Sequence, residues 1–310
     1  MPRRRVSLLC VLASTALGGA PAVDSPALQD EAPAEGAGEV APADVLPLPF
    51  HYDLYTFRGE GRRTAVVAAF SVSAGLLRQE ESGKGVRYRF DVTLVLADTA
   101  RRSVSRTDDS VFVRFPRPLL AEHLLYTQLE LQVSPSRSTV QRVIMTDATV
   151  PGIGQLYGSS FPIPDYSGSR LMLSDIALGL PDARAGWKRG DVTLALLPTS
   201  QFPESAFDVY YEIYNLPAGR WYVTEIAVEA VRPGARAPVR LRFTGPATPS
   251  SAGLVQELRR VETSLAAGRH RITVTVTDPA SGQSASSSRV FEVRGWPRGA
   301  TLVAALPRAR

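Results

Sequence analysis

Tyr88-Arg89-Phe90-Asp91-Val92-Thr93-Leu94-Val95-Leu96 puts Tyr88, Phe90, Val92, Leu94 and Leu96 on one side of an extended chain. Arg89, Asp91 and Thr93 fall on the other side. A period of two held over this length marks a half-buried strand. A turn-rich break, Glu80-Glu81-Ser82-Gly83-Lys84-Gly85, precedes it, and residues 64–73 before that break read as another strand. Downstream, Val111, Val113 and Phe115 alternate, and so do Leu129, Leu131 and Val133, with Gln128, Glu130 and Gln132 opposite. Residues 140–146 give a further strand.

The second half follows the same plan. Val192, Leu194 and Leu196 alternate, as do Val209, Tyr211 and Ile213. Strands follow at 223–231, 239–243 and 290–293, and Ile272, Val274 and Val276 alternate with threonines. Leu129-x-Leu131-x-Val133 matches Ile272-x-Val274-x-Val276 at an offset of 143, which suggests a duplicated unit. Leu254, Leu258, Val261 and Leu265 also fit a helix face, but the repeat asks for strand at 259–265. Short strands with turns every 8–12 residues predict an all-β chain of two tandem immunoglobulin-like β-sandwich domains. The expected divisions are a signal peptide at 1–22, a disordered acidic linker at 23–49 and a first sandwich at 50–165. An inter-domain segment at 166–185, a second sandwich at 186–294 and a tail at 295–310 complete the chain. The fragment 186–294 is expected to fold alone. The apolar run at 300–306 is too short to cross a bilayer and reads as an edge strand or tail.

The chain has 310 residues, of which 44% are apolar, so it can bury two cores. Of 35 basic residues only Lys84 and Lys188 are lysine, and Asn215 is the sole asparagine. That is the pattern of GC-rich coding rather than a nucleic-acid footprint, and no arginine cluster with interleaved aromatics stands out. No nucleic-acid partner is expected. Arg3-Arg4-Arg5, the apolar stretch 6–17 and Ala20-Pro21-Ala22 make a signal peptide cleaved after Ala22. The mature chain, starting at Val23, then has no transmembrane segment. Cys10 leaves with the leader, so neither a disulfide nor a thiolate site remains. Residues 23–49 carry six acidic side chains and no basic one, a composition that cannot bury a core.

Leu171-Met172-Leu173-Ser174-Asp175-Ile176-Ala177-Leu178 is followed, after Leu197-Pro198, by Val209-Tyr210-Tyr211-Glu212-Ile213-Tyr214-Asn215-Leu216. This L-S-D-I-x-L and Y-x-E-I-Y-x-L pairing resembles the β-rich C-terminal region of exported bacterial GWxTD-domain proteins, over roughly residues 64–293. The resemblance implies export and a β fold and implies no chemistry. The G-W-x-T-D motif is absent: Gly186-Trp187-Lys188-Arg189 and Gly295-Trp296-Pro297-Arg298 share only its first two letters.

Signatures of catalysis are missing from the sequence. His51, His123 and His270 stand far apart, with no metal-ligand spacing. No G-x-S-x-G elbow occurs. Gly152-Ile153-Gly154-Gln155-Leu156-Tyr157-Gly158 imitates a dinucleotide loop, but no helix follows to hold a pyrophosphate, so a glycine-rich loop is expected. Asp108-Asp109 reads as a solvated turn, since two carboxylates do not make the ligand set calcium takes. No catalytic residue, metal or cofactor is assigned. The expected function is a non-catalytic, exported interaction or scaffold module of the cell envelope, periplasmic or extracellular, with another envelope protein or domain as partner. A carbohydrate-binding module is the alternative, and an enzyme with an unrecognised site the third reading. The candidate contact is Tyr210, Glu212 and Tyr214, which share one strand face, with Trp221 and Tyr222 across a turn. Tyrosine and tryptophan suit such contacts because an apolar ring carries a hydrogen-bonding tip. The ordinary reading of that face, packing against the first sandwich, comes ahead of a partner contact, with isolated surface tyrosines the remaining reading.

Overall fold

The structure is a computed structural model. It describes residues 46–83, 85–180, 186–199, 202, 206–232, 238–249, 253–262, 265–294 and 302–304. The leader and residues 23–45 of the acidic linker lie outside the described residues. Those described form strands and one 3-10 turn, Ala74–Leu76, with no α-helix among them. No helix there is long and apolar enough to cross a membrane.

The first half supplies nine strands. They are β1 (Leu46–Pro47), β2 (His51–Arg58), β3 (Thr64–Ser73), β4 (Gln79–Ser82) and β5 (Gly85–Asp98), then β6 (Ser103–Phe115), β7 (Leu124–Val133), β8 (Thr139–Asp147) and β9 (Ile153–Ser160). One sheet runs β6-β5-β8-β9-β1, with β4 added on β5, and a second runs β2-β3-β7. Residues 88–96 form the centre of β5. Every second residue of β5 is buried, because one face meets the opposite sheet and the other meets solvent. Phe90, Val92 and Leu94 from β5 pack with Val66, Ala68 and Phe70 from β3 in the core between the two sheets.

The second half supplies eleven more. β10 (Met172–Leu173), β11 (Ala177–Leu180), β12 (Trp187–Arg189), β13 (Val192–Leu196), β14 (Phe207–Tyr214) and β17 (Leu254–Val261) make a third sheet. β15 (Trp221–Ala230), β16 (Val239–Pro246), β18 (Gly268–Asp278) and β19 (Gln283–Val293) make a fourth, in the order β16-β15-β18-β19. β20 (Leu302–Ala304) returns to the first half and lies parallel to β7. Val209, Tyr211 and Ile213 face Ile226, Ile272 and Val274 in the second core.

Both halves share one Greek-key wiring. β3 crosses to the β5–β6 hairpin, β7 returns beside β3, and the β8–β9 hairpin closes beside β5. β14, the β15–β16 hairpin, β17 and the β18–β19 hairpin repeat those steps. This wiring pairs β7 with β17 and β8 with β18, so the offset of 143 had joined non-equivalent strands. An alternating apolar triplet marks any half-buried strand and carries no strand identity. The counterparts β8 and β18 both end in an aspartate, Asp147 and Asp278, whose carboxylate accepts amide hydrogens from the turn that follows.

The segment with helical spacing is strand, as favoured over a helix: β17 runs through Val261, held by eight register pairs with β14, and residues 263–264 lie outside the described residues. Other local expectations change. The glycine-rich stretch after Pro151 is strand β9 rather than a loop. Asp108 and Asp109 sit inside β6, where neighbours point to opposite faces. β10 and β11 fall within the segment 166–185 yet hydrogen-bond to β14, so strands of the second unit begin at Met172.

The decisive feature is a third apolar layer. Tyr55, Phe57, Ala65, Val67 and Ala69 of the first unit pack with Ala177, Trp187, Leu194, Leu196 and Tyr210 of the second. The sheets holding β3 and β14 therefore lie back to back. Nine of the ten residues in β3 are buried, and all eight in β14 are. The four sheets form a stack in which the inner two meet apolar neighbours on both faces.

Candidate interaction site: a buried junction and an exposed tryptophan

Strand alternation sends Tyr210, Glu212 and Tyr214 to the face of β14 turned toward the first unit. Small side chains on β3, Ala65, Val67 and Ala69, let the sheets approach there. The Phe57 and Trp187 rings stack at 4.9 Å, and Tyr210 packs edge-on to Trp187 at 5.4 Å. Glu212, at 0% exposure, sits within this apolar layer. A carboxylate so placed is tolerable only when ion-paired and hydrogen-bonded. Arg189 supplies a two-pronged partner, with Nε donating to Oε1 at 2.7 Å and Nη2 to Oε2 at 3.0 Å. The hydroxyls of Tyr210 and Tyr214 donate to the same two oxygens at 2.7 and 2.6 Å. Burial, then the Glu212 charge, pushes both phenols far above the ordinary tyrosine range. Burial alone would lower the Arg189 pKa, but Glu212 outweighs it and holds the guanidinium charged.

These bonds continue across the boundary. Arg189 Nη2 also donates to the Arg58 carbonyl of β2 at 2.5 Å, and the Arg58 amide donates to the Tyr214 hydroxyl at 2.7 Å. The Arg58 guanidinium lies 4.2 Å above the Tyr214 ring and donates to Asn215 Oδ1. Asn215 holds a positive φ of 64°, a conformation asparagine tolerates, and its amide donates to the carbonyls of Gly168 and Arg170.

A second charged node lies further along β2. Arg289 of β19 donates to Asp53 at 2.8 Å and to the Leu54 carbonyl at 2.9 Å. It also stands 3.5 Å from Asp175 and 4.2 Å over the Tyr55 ring. Asp175 in turn accepts from the Thr56 amide and hydroxyl at 2.9 and 2.7 Å, while its own amide donates to the Thr56 carbonyl. Ser174 and Glu212 exchange bonds through the Ser174 amide and hydroxyl. The two stretches that carry the family resemblance, Leu-Ser-Asp-Ile and Tyr-x-Glu-Ile-Tyr, thus meet in space and fasten the second unit to the first.

The five residues singled out from the sequence separate into three settings. Tyr210, Glu212 and Tyr214 line the junction and present nothing to solvent. Tyr222 points into the second core and donates its hydroxyl to Glu257. Trp221 alone is exposed, at 63%. It starts β15 beside Pro246 and forms a shallow hollow with Ala218, Gly219, Arg220, Pro279 and Ala280, where the β14–β15 and β18–β19 turns meet. The sequence reading did not single out Arg58, Arg189, Arg289, Asp53 or Trp187 as contacts. Their partners lie 23 to 236 residues away, beyond the reach of any local pattern.

Among the described residues no three His, Cys, Asp or Glu side chains group to hold a metal ion. His270 contacts the Ala266 carbonyl and stacks near Phe291. Burial, then the nearby Arg294 charge, lowers the pKa of His51.

No protein-family profile and no curated protein matches the chain. Among solved structures it is similar to red sea bream transglutaminase, with 13% identity over 79% of this chain and 31% of that one, at a TM-score of 0.21. It is also similar to a calcium-binding mutant of Bacteroides uniformis β-glucuronidase 2, with 9% identity over 78% of this chain and 28% of that one, at a TM-score of 0.25. The chain spans less than a third of either protein. Likenesses this distant carry no argument about chemistry.

Proposed function

We propose that this chain is a non-catalytic, exported interaction or scaffold protein of the bacterial cell envelope, periplasmic or extracellular. The observation that carries the reading is the engagement of its chemistry-bearing groups. Glu212, Asp175, Asp53, Arg189 and Arg289 are bound to one another and to backbone groups between the two units. Residues built into a lock of this kind serve rigidity, and a rigid body lowers the ordering cost of binding. The leader and acidic linker support export and tethering, in keeping with what the GWxTD resemblance implies. The contact we assign is the Trp221 corner. A large aromatic ring left in water beside two turns has the character of an interface anchor.

Capture of envelope proteins from the native host by the full chain and by Trp221→Ala tests this. The variant is expected to lose about nine-tenths of the captured partner, a shift typical of hot-spot truncation. Its melting temperature should stay within about 1 °C, as for surface changes. Unchanged capture would remove Trp221 from the contact, and turnover of a substrate by the purified chain would overturn the non-catalytic reading. The exposed Trp221 ring beside Arg220 also fits a second reading, a carbohydrate-binding module in which the indole stacks on a sugar. A glycan-array signal lost in Trp221→Ala would favour that reading over the first.

A further inference from the structure

Each outer sheet of the stack turns one face to solvent, and such a face is ordinarily polar. The fourth sheet obeys this. Rows of its outer face read Ser286-Thr275-Glu225-Arg242 and Ser288-Thr273-Ala227-Arg240, and Arg240 and Arg271 pair with Glu225 and Glu229. The outer face of the first sheet differs. Register sets Val104, Ala97 and Val140 side by side across β6, β5 and β8. The next row on that face is Arg106, Val95 and Arg142, and beyond it Ile144 stands beside Leu156 of β9. None of these six apolar side chains is buried in a core, and Val104 and Leu156 are 57% and 52% exposed. Arg106 pairs with Asp108, whereas Arg142, also exposed, has no ion pair among the described residues. The middle of this face is therefore aliphatic, with an arginine on either side of Val95. A contiguous apolar patch left in water marks a surface that something covers.

Aliphatic side chains beside an unpaired arginine call for an occupant that brings both carboxylates and small apolar groups. Residues 23–45 of this chain, outside the described residues, have that composition. Asp24, Asp30, Glu31, Glu35, Glu39 and Asp44 are interspersed with alanine, valine, leucine and proline, and no basic residue occurs among them. The segment also ends at this sheet. Leu46 and Pro47 are fixed as β1 beside Ile153 and Gly154 of β9, and Leu48 and Phe50 are buried just after them. Strand spacing and rise put the Val104 row about 30 Å from Leu46. An extended run of the segment spans roughly 75 Å, so it reaches the whole patch. We propose that the outer face of the first sheet is a docking surface for the chain's own acidic segment, residues 23–45. Its apolar side chains lie over Val95, Val104 and Ile144, and its carboxylates meet Arg106 and Arg142. Covalent linkage supplies a high effective concentration, so weak individual contacts suffice. The proposal is independent of the Trp221 contact, which belongs to the second unit.

The probe is a labelled peptide of residues 23–45. The receptor is the full chain carrying Asp24→Asn, Asp30→Asn, Glu31→Gln, Glu35→Gln, Glu39→Gln and Asp44→Asn, changes that leave every described strand intact and disarm the tethered competitor. Fluorescence anisotropy should show saturable binding to this neutralised chain, and binding about tenfold or more weaker to the unaltered chain, where the tethered segment competes. Raising the salt should weaken the binding, because the charged contacts are exposed to screening. Adding Arg142→Glu to the neutralised chain is expected to weaken it about tenfold through like-charge repulsion. Leu156→Ser, on the apolar side of the patch, should also weaken it, and it carries the test if Arg142→Glu alters the circular dichroism spectrum. Absence of saturable binding overturns the proposal, as does equal binding to the neutralised and unaltered chains or binding indifferent to both face variants. If the neutralised chain sediments as a dimer and binds no peptide, the face belongs to a second copy and the proposal falls. If it adsorbs to phosphatidylglycerol vesicles and binds no peptide, the face belongs to an anionic lipid surface, and the proposal falls likewise.

Discussion

Glu212 concentrates the logic of the junction. Its two oxygens receive four donors, two from Arg189 and one each from Tyr210 and Tyr214. Arg189 is itself only 16% exposed, so removing the carboxylate leaves a cation in a mostly dry layer. Breaking a buried pair from one side costs about 3–5 kcal/mol. In a unit of this size that corresponds to a fall in melting temperature of roughly 10 °C. Glu212→Gln is expected to show it by circular dichroism, and adding Arg189→Met should restore part of the loss by removing the stranded charge. A single variant that melts like the parent would mean that the apolar layer alone holds the junction. Strand alternation in the sequence put Tyr210, Glu212 and Tyr214 correctly on one face, because period two is a local property. Packing of that face against the first sandwich was the ordinary reading of the sequence, but the residues that do it were not legible. Arg58 and Phe57 come from a strand more than 150 residues upstream, and only the folded chain brings them there.

Strands buried on one side and strands buried on both leave different marks on a sequence. β5 alternates, and its alternation identified the fold. β3 instead runs Ala65-Val66-Val67-Ala68-Ala69-Phe70 without a polar break, which is how a strand with two apolar neighbours reads. That run was a visible sign of the extra layer, and its alanines show how closely the layer packs. Enlarging one of them should therefore act differently from enlarging a residue on an outer face. Ala65→Leu, on the junction face, is expected to destabilise by about 1–3 kcal/mol through overpacking. Thr93→Leu, on the solvent face of β5, should change stability by less than about 0.5 kcal/mol. Denaturant titration of both variants checks the contrast, and equal effects would contradict a tightly packed layer between β3 and β13. The strands themselves were legible from composition and period, while their wiring was not. Alternating triplets in β7 and β18 look alike, yet β7 matches β17 because pairing partners define a strand's place.

The stack of four sheets changes what a fragment of this protein should do. Residues 186–294 look self-sufficient in sequence, with a full set of alternating strands. In the structure that span lacks β10 and β11, which pair with β14 on the side opposite β17. Cutting at 186 turns β14, buried along its whole length, into an open edge. It also strips the Tyr55, Phe57 and Val67 cover from Tyr210 and Trp187, and takes Asp53 and Asp175 away from Arg289. An open apolar edge and an exposed apolar layer together favour aggregation over independent folding. The full chain is expected to unfold in one transition, with circular dichroism and tryptophan fluorescence coincident, as a single cooperative body does. The fragment 186–294 should show no sharp transition, or should precipitate. A fragment of residues 166–294 regains β10 and β11 and should fold while binding a hydrophobic dye through its uncovered face. If 186–294 melted cooperatively near the temperature of the full chain, the junction would contribute little, and each unit would have to carry its own stability despite the shared layer.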